Sequence, residues 1–266
     1  MASLLTNASA MTALQTLSQT NKNLATTQNR IATGERVSTA ADNAAYWSIA
    51  TSMRGQSATL SAAQDTLGVG KAVVDTAVTG LEEAIKLGTQ IQAKLATLGT
   101  PGVDDAIVNA DVAQLSAQIV DIAKSASFEG INLLKSGGAD VTITTGYTSV
   151  AGGGTAALNT LDVSAYDLEA DYTTAPADAM AAEALVVKMR DAASTLGAAA
   201  TRIDSQSSFN GKLIDAIDRG IGQLVDADMN AESARLSALQ TQQQLGVQAL
   251  SIANSSTQVI LSLFRG

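Results

Sequence analysis

Apolar residues at alternating steps of four and three occupy both ends of this 266-residue chain, and that spacing constrains its fold more than any other feature. Ala10, Leu14, Leu17, Asn21, Leu24, Gln28 and Ile31 follow it near the start. Leu236, Leu239, Gln243, Gly246, Leu250, Ala253, Thr257, Ile260 and Phe264 repeat it at the far end. This is the seam of a coiled coil. Polar residues interrupt both seams, which weakens them but can fix the register between partners. Two ordinary amphipathic surface helices would give a similar spacing. Ordinary domains fray at their termini, however, and here both seams run to the ends of the chain.

The interior is equally permissive of helix. Pro101 and Pro176 are the two prolines of the chain, and each is expected to end or interrupt a helix. Val74, Val78, Leu81, Ile85 and Leu95 mark a helix that ends before Pro101. Val112, Leu115, Ile119, Ile122 and Ala126 mark a second. A third starts after Pro176 and runs through Leu185, Met189, Ala192, Leu196, Ala199, Ile203, Leu213, Ile217 and Leu224. From Asp178 to about Val225 it would be roughly 70 Å long at 1.5 Å per residue. A compact globule of this chain length is only about 45–50 Å across. The expected fold is therefore mainly α: an elongated rod of long antiparallel helices with coiled-coil termini. The composition agrees, being 46% hydrophobic but only 3% aromatic, which suits closely packed helices.

Between residues 135 and 175 the sequence turns rich in Gly and Thr. Val141 and Ile143 alternate with Thr, and the stretch LDVSAYDL at 161–168 alternates similarly, so short strands or a β-hairpin are expected there. Gly152–Gly154 reads as a loop. The expected organisation has three parts. Residues 1–33 and 230–266 form paired terminal helices, 34–135 and 177–229 form a central helical rod, and 136–176 form a small β-hairpin or loop insert.

Chemistry is conspicuously missing from the sequence. Net charge is −9 with no His and no Cys. An acidic chain is a poor ligand for nucleic acid, whose phosphates call for Lys and Arg, and for anionic membrane surfaces. Without His or Cys the commonest general base, metal ligand and thiol nucleophile are all lacking. Two near-matches to a phosphate loop fail. Gly70-Lys71 has Asp65, and Gly211-Lys212 has Gln206, where the first glycine belongs, and neither lysine is followed by Ser or Thr. Glu82-Glu83, Asp104-Asp105 and Asp226 with Asp228 read as solvated faces or helix caps. No catalytic, cofactor-binding or metal-binding residue is assigned, and no enzyme activity is expected. The N-terminus has no basic segment before Lys22, so it is not read as a secretory signal. No apolar run approaches the length of a membrane span.

Three stretches together resemble the bacterial flagellin family. NRIATGERVSTAADNAAYWSIA at 29–50 is similar to the N-terminal signature, carried here by Arg30, Gly34, Arg36 and Asp42. FEGINLL at 128–134, with Phe128 and Asn132, resembles a motif that usually reads FNGINLL, and Glu129 departs from the usual Asn. The ending from Leu224 to Gly266 resembles the family's C-terminal helix. Only about residues 136–176 lie outside the resemblance.

The resemblance implies a structural subunit of the flagellar filament, built for motility, exported largely unfolded through the flagellar type III apparatus, secreted, and assembled outside the cell. Terminal helices would form an inner tube and central helices an outer tube, with a short insert facing outward on a thin, smooth filament. Implied partners are the chain itself in a homopolymer, paralogous flagellins, an export chaperone and the export gate, the filament cap and the hook-associated proteins. The alternative is a hook–filament junction protein, which resembles flagellin at both ends. By the same resemblance, Thr142, Thr144, Thr145, Thr148 and Ser149 are candidates for O-linked glycosylation.

Independent physics points the same way. An isolated terminal helix is marginal in water, and ordering its backbone carries a large entropic cost. Neighbouring copies are expected to supply the burial that each seam lacks within one subunit. The expected polymer-interface residues are Leu14, Leu17, Asn21, Leu24, Ile31, Leu236, Leu239, Leu250, Ile260 and Phe264.

Overall fold

The structure, a computed structural model, describes residues 7–148 and 157–265, with side chains described as far as residue 255. Among the described residues, six helices and one antiparallel strand pair follow in order: α1 (Ala8–Thr33), α2 (Ala44–Leu95), α3 (Asp105–Ser125), β1 (Val141–Thr148), β2 (Ala157–Val163), α4 (Leu168–Tyr172), α5 (Ala179–Val225) and α6 (Met229–Arg265). The mainly helical fold with a small hairpin is as expected from the sequence. Contacts divide the chain into two compact units: Met1–Arg54 with Asp218–Gly266, and Gly55–Ile217.

Local chemistry sets the helix ends. Pro101 lies in the turn between α2 and α3, and Asp104 caps α3 by accepting from Ala106 N at 2.9 Å. Pro176 lies just ahead of α5, where Asp178 accepts from Ala181 N at 2.7 Å. A side-chain oxygen at this position satisfies one of the donors that a helix start leaves unpaired. Helix α5 runs 47 residues, about 70 Å at 1.5 Å per residue.

The unit Gly55–Ile217 holds the apolar core, with Leu67, Leu81, Ile91, Ile119, Leu134 and Met189 all fully buried. Two elements, α4 and α5, converge on Gly88 of α2. A Cβ there would lie 2.8 Å from Met189 Cε, 2.9 Å from Val186 Cγ2 and 3.0 Å from the Tyr172 hydroxyl. The absent side chain is what lets α5 and α4 approach this turn of α2 so closely.

The hairpin pairs Val141 with Val163 and Ile143 with Leu161, and its register slips between Thr144 and Gly146. That bulge turns Thr145 and Gly146 both inward. The buried Asn210 donates to Thr145 O at 2.8 Å, tying the hairpin to α5.

The stretch at 161–168 departs from the expected strand. Strand β2 begins earlier, at Ala157, and ends at Val163, while Leu168 opens α4. Asp167 caps this short helix by accepting from Ala170 N at 2.9 Å, and Leu168 and Tyr172, four residues apart, are both buried. A five-residue helix is too short for its period to show in sequence. Gly152–Gly154 lies outside the described residues.

Tyr172 adds a pH dependence. Its hydroxyl is buried with no hydrogen-bond partner, and burial, then the Asp171 carboxylate, pushes its pKa from 10.0 up to about 12. Nearby Tyr166 is pushed up too, first by burial and then by its hydrogen bond to Asp171. A raised folded-state pKa favours the protonated native form. That stability is complete below pH 10 and is lost as pH rises through about 12. Melting temperature should fall across this window, and the fall should be shallower in Tyr172→Phe, as followed by circular dichroism. An identical slope in the variant would contradict the assignment.

Candidate assembly interface

The unit Met1–Arg54 with Asp218–Gly266 is built on a helix pair. At the base, Gly34 adopts φ 73° to end α1, and its N–H donates to Arg30 O at 2.8 Å. This left-handed stop suits glycine, which has no Cβ to clash. The chain then meets the α5–α6 junction: Arg36 N donates to Val225 O at 2.6 Å and Ala227 N to Gly34 O at 2.9 Å. Asp228 restarts the helix as the cap of α6, accepting from Asn230 N at 2.9 Å and Ala231 N at 3.2 Å. Asp226 and Asp228 thus mark a break and a cap.

From this base α1 and α6 pack against each other, antiparallel. Asn7 Nδ2 donates to Ala253 O at 2.9 Å, Gln243 Nε2 to Asn21 Oδ1 at 2.9 Å, and Arg30 to Glu232 at 3.2 Å. Leu17 rests on Gly246, where a Cβ would come within 3.2 Å of its Cδ1. These contacts correct one expectation: the two seams have partners within a single chain, namely each other. Leu17, Leu24, Ile31, Leu236 and Leu250 are half-buried and Leu239 is buried.

The register of α6 is as read from sequence, with Leu236, Leu239, Gln243, Gly246, Leu250 and Ala253 turned inward. The register of α1 is corrected at every other step. Leu14, Asn21 and Gln28 are exposed, and the inward positions are Ala13, Thr20 and Thr27. Thr20 returns its hydroxyl to Thr16 O at 3.0 Å, so its methyl can be buried without stranding the polar atom. Ile260 and Phe264 lie in α6, but their side chains are outside the described residues.

Glu232 extends the α6 seam by one further step of four and is the position the sequence reading missed. It is 7% exposed. Both Arg30, at 3.2 Å, and Arg235, at 3.4 Å, reach its Oε1, while Oε2 has no hydrogen-bond partner.

Large apolar groups also remain exposed outside this seam. Met11 is 67% and Leu14 58% exposed on α1, and Leu245 is 57% and Ile252 68% exposed on α6. At 100° per residue, Leu245 and Ile252 lie about 140–160° around the helix from Leu250, on the opposite face.

The remaining signature residues do structural work. Asp42 clamps the loop before α2: its Oδ2 accepts from Ser38 N, Ser38 Oγ, Thr39 N and Thr39 Oγ1. The Thr39 N–H above all holds this carboxyl below the usual carboxylate range. The cap of α2 itself is Asn43, whose Oδ1 accepts from Ala45 N and Tyr46 N. At the second motif, Phe128 and Ile131 exchange hydrogen bonds around Glu129 and Gly130, which have φ 50° and 81°. Two successive positive φ values define a turn that favours Asn-Gly, which explains physically why Asn is the family's usual residue where Glu129 stands. Asn132 ties the turn to the end of α3 by donating to Ala123 O at 2.7 Å. Gly70-Lys71 and Gly211-Lys212 lie inside α2 and α5 rather than on loops. Among the described residues no helix is long and apolar enough to cross a membrane, and no group of three or more His, Cys, Asp or Glu is placed to hold a metal.

The helix pair thus satisfies one internal seam and leaves further large apolar groups exposed on both helices. Comparison with known proteins gives the family. The profile of the bacterial flagellin N-terminal helical region matches residues 4–138, and that of the bacterial flagellin C-terminal helical region matches 180–264. A flagellin of Brucella melitensis biotype 1 is 46% identical, with all of both chains covered. Flagellin C of Rhizobium meliloti is 41% identical and flagellin A 35%, again over the whole of each. This chain belongs to the bacterial flagellin family. It is a structural subunit of the flagellar filament and assembles with itself. Nothing in these matches favours a hook–filament junction protein.

Proposed function

We propose that the chain polymerises through the outer faces of α1 and α6 while their inner faces pair within each subunit. The observation that carries this reading is that Met11 and Leu14 on α1, and Leu245 and Ile252 on α6, stay exposed once the internal seam is satisfied. In the proposed filament, residues 1–33 and 230–266 form the inner tube. Residues 34–135 and 177–229 form the outer tube, and 136–176 face outward as a short insert on a thin filament. The two family profiles leave residues 139–179 between them, close to that insert. The subunit carries out no catalysis. It leaves the cell unfolded by type III export, meeting a chaperone and the export gate, and adds at the tip beneath the cap, beyond the hook-associated proteins. Paralogous flagellins share the same contacts.

Electron microscopy after seeding tests the reading. The unmodified chain should grow long tubes, whereas the double change Leu245→Ser and Ile252→Ser should keep a helical monomer but stop growth. Full-length tubes from the double variant would refute the outer-face contact. Short rings from the unmodified chain would instead favour the junction protein.

For O-linked sugars the proposal narrows to Thr142, Thr144 and Thr148. Thr145 is withdrawn, because it is only 9% exposed and donates its hydroxyl to Asn159 O at 3.1 Å. Ser149 lies outside the described residues. The intact mass of filament-derived protein should exceed that of the bare chain by whole sugar increments, and a bare-chain mass would remove the proposal.

A further inference from the structure

Of all the asparagines in the chain, only Asn210 is followed by glycine, and the pair lies inside α5. An Asn-Gly pair can modify itself, because the glycine nitrogen, with no Cβ beside it, can reach the side-chain amide carbon. The fold holds this pair shut. Asn210 is 1% exposed, and both ends of its amide are engaged. Nδ2 donates to Thr145 O at 2.8 Å, and Oδ1 accepts from Gln206 Nε2 at 3.2 Å. Gly211 sits in the same helix, where backbone N–H groups are taken up by the hydrogen-bond ladder. Packing does not call for glycine at 211. A Cβ there would meet no atom within 4 Å, and alanine is the better helix former.

We propose that Asn210-Gly211 is a deamidation site that folding closes and unfolding opens. In the unfolded chain the Gly211 nitrogen bonds to Asn210 Cγ, the Cγ–Nδ2 bond breaks, and ammonia leaves with the Gly211 proton. One water then opens the five-membered imide at either carbonyl, giving aspartate or isoaspartate. No oxidant or reductant takes part. Both products spoil the place they came from. Gln206 still donates to one oxygen of a carboxylate at 210, but the other oxygen replaces the donor to Thr145 O. That sets a buried anion against a carbonyl oxygen. Isoaspartate also adds a methylene to the backbone and breaks the repeat of the helix. The tie between the hairpin and α5 is then not rebuilt, so time spent unfolded becomes irreversible loss of refolding. The reaction depends on unfolding alone and not on the filament reading.

The test holds the full-length chain at mildly alkaline pH, folded in buffer and unfolded in guanidinium chloride, and maps both by peptide mass spectrometry. In denaturant the mass gain of an amide turned to an acid should appear first at Asn210. The folded chain should gain it more than about a hundredfold more slowly, because the site reacts only while α5 is open. After removal of denaturant, the modified fraction should fail to refold or melt lower by about 6–12 °C, and Asn210→Asp should behave alike. Gly211→Ala has room for its Cβ, so it should refold in full while losing most of the gain at Asn210. Equal rates in the folded and unfolded chains would overturn the closure. A gain at Asn210 no faster than at the other asparagines would overturn the site. Asn210→Asp protein that melts with the parent would overturn the consequence for refolding.

Discussion

Removing residues 1–30 or 236–266 abolishes filament growth and leaves a soluble, helical monomer. Each deletion acts twice. It takes away one outer face, with Met11 and Leu14 or with Leu245 and Ile252, and it strips the inner seam from the helix that remains. Without α1, the half-buried Leu236 and Leu250 and the buried Leu239 lose their cover. The core is untouched, because every residue of the buried apolar cluster lies between Leu67 and Ile203. Far-ultraviolet circular dichroism should therefore still report a mainly helical protein, while seeded growth falls to nothing. Filaments from either truncated chain would contradict the assembly account.

Gly88→Val destabilises the unit that the truncations spare. The glycine faces Met189 Cε, Val186 Cγ2 and the Tyr172 hydroxyl, all within 3.0 Å of where a Cβ would stand. Valine adds that Cβ and two methyl groups into a space closed by α4 and α5 at once. Overpacking of this kind costs about 1–3 kcal/mol and sometimes more. With three side chains already at contact distance we expect the upper end, about 3 kcal/mol, or roughly 6–12 °C in melting temperature for a unit of this size. A melting temperature within a degree or two of the parent would show that α4 and α5 do not press on this turn of α2.

Much of the helical scaffold is legible in the sequence, and the reasons are local. Helix α5 is expected from Asp178 to about Val225 and observed from Ala179 to Val225, because Pro176 and the capping Asp178 fix its start. The α6 seam is legible because large residues dominate its inner face. On α1 the reading alternates between right and wrong, since Thr20 and Thr27 carry the inner methyls while the neighbouring Asn21 and Gln28 look like the interruptions. Helix α4 is too short to show a period. The start of α2 shows no apolar stripe because, among the described residues, none of its side chains is buried before Ala50. Glu232 looks like one more surface carboxylate, and only the pairing of α1 with α6 reveals that it is buried between two arginines.

The same contrast in burial sets the stability of the parts. Among the described residues, α1 buries only Thr20 and Thr27, and α6 only Glu232 and Leu239. A helix pair with so little buried apolar surface opens easily, whereas the core around Leu67, Leu81, Ile119 and Met189 is fully closed. The terminal pair is expected to become stable only when neighbouring subunits cover its outer faces. Hydrogen exchange followed by mass spectrometry, on monomer and filament of the same full-length chain, measures this directly. The account predicts that amides of 8–33 and 229–265 exchange rapidly in the monomer and slowly in the filament, while those of the central core are protected in both. Equal protection of the terminal helices in the two states would contradict it.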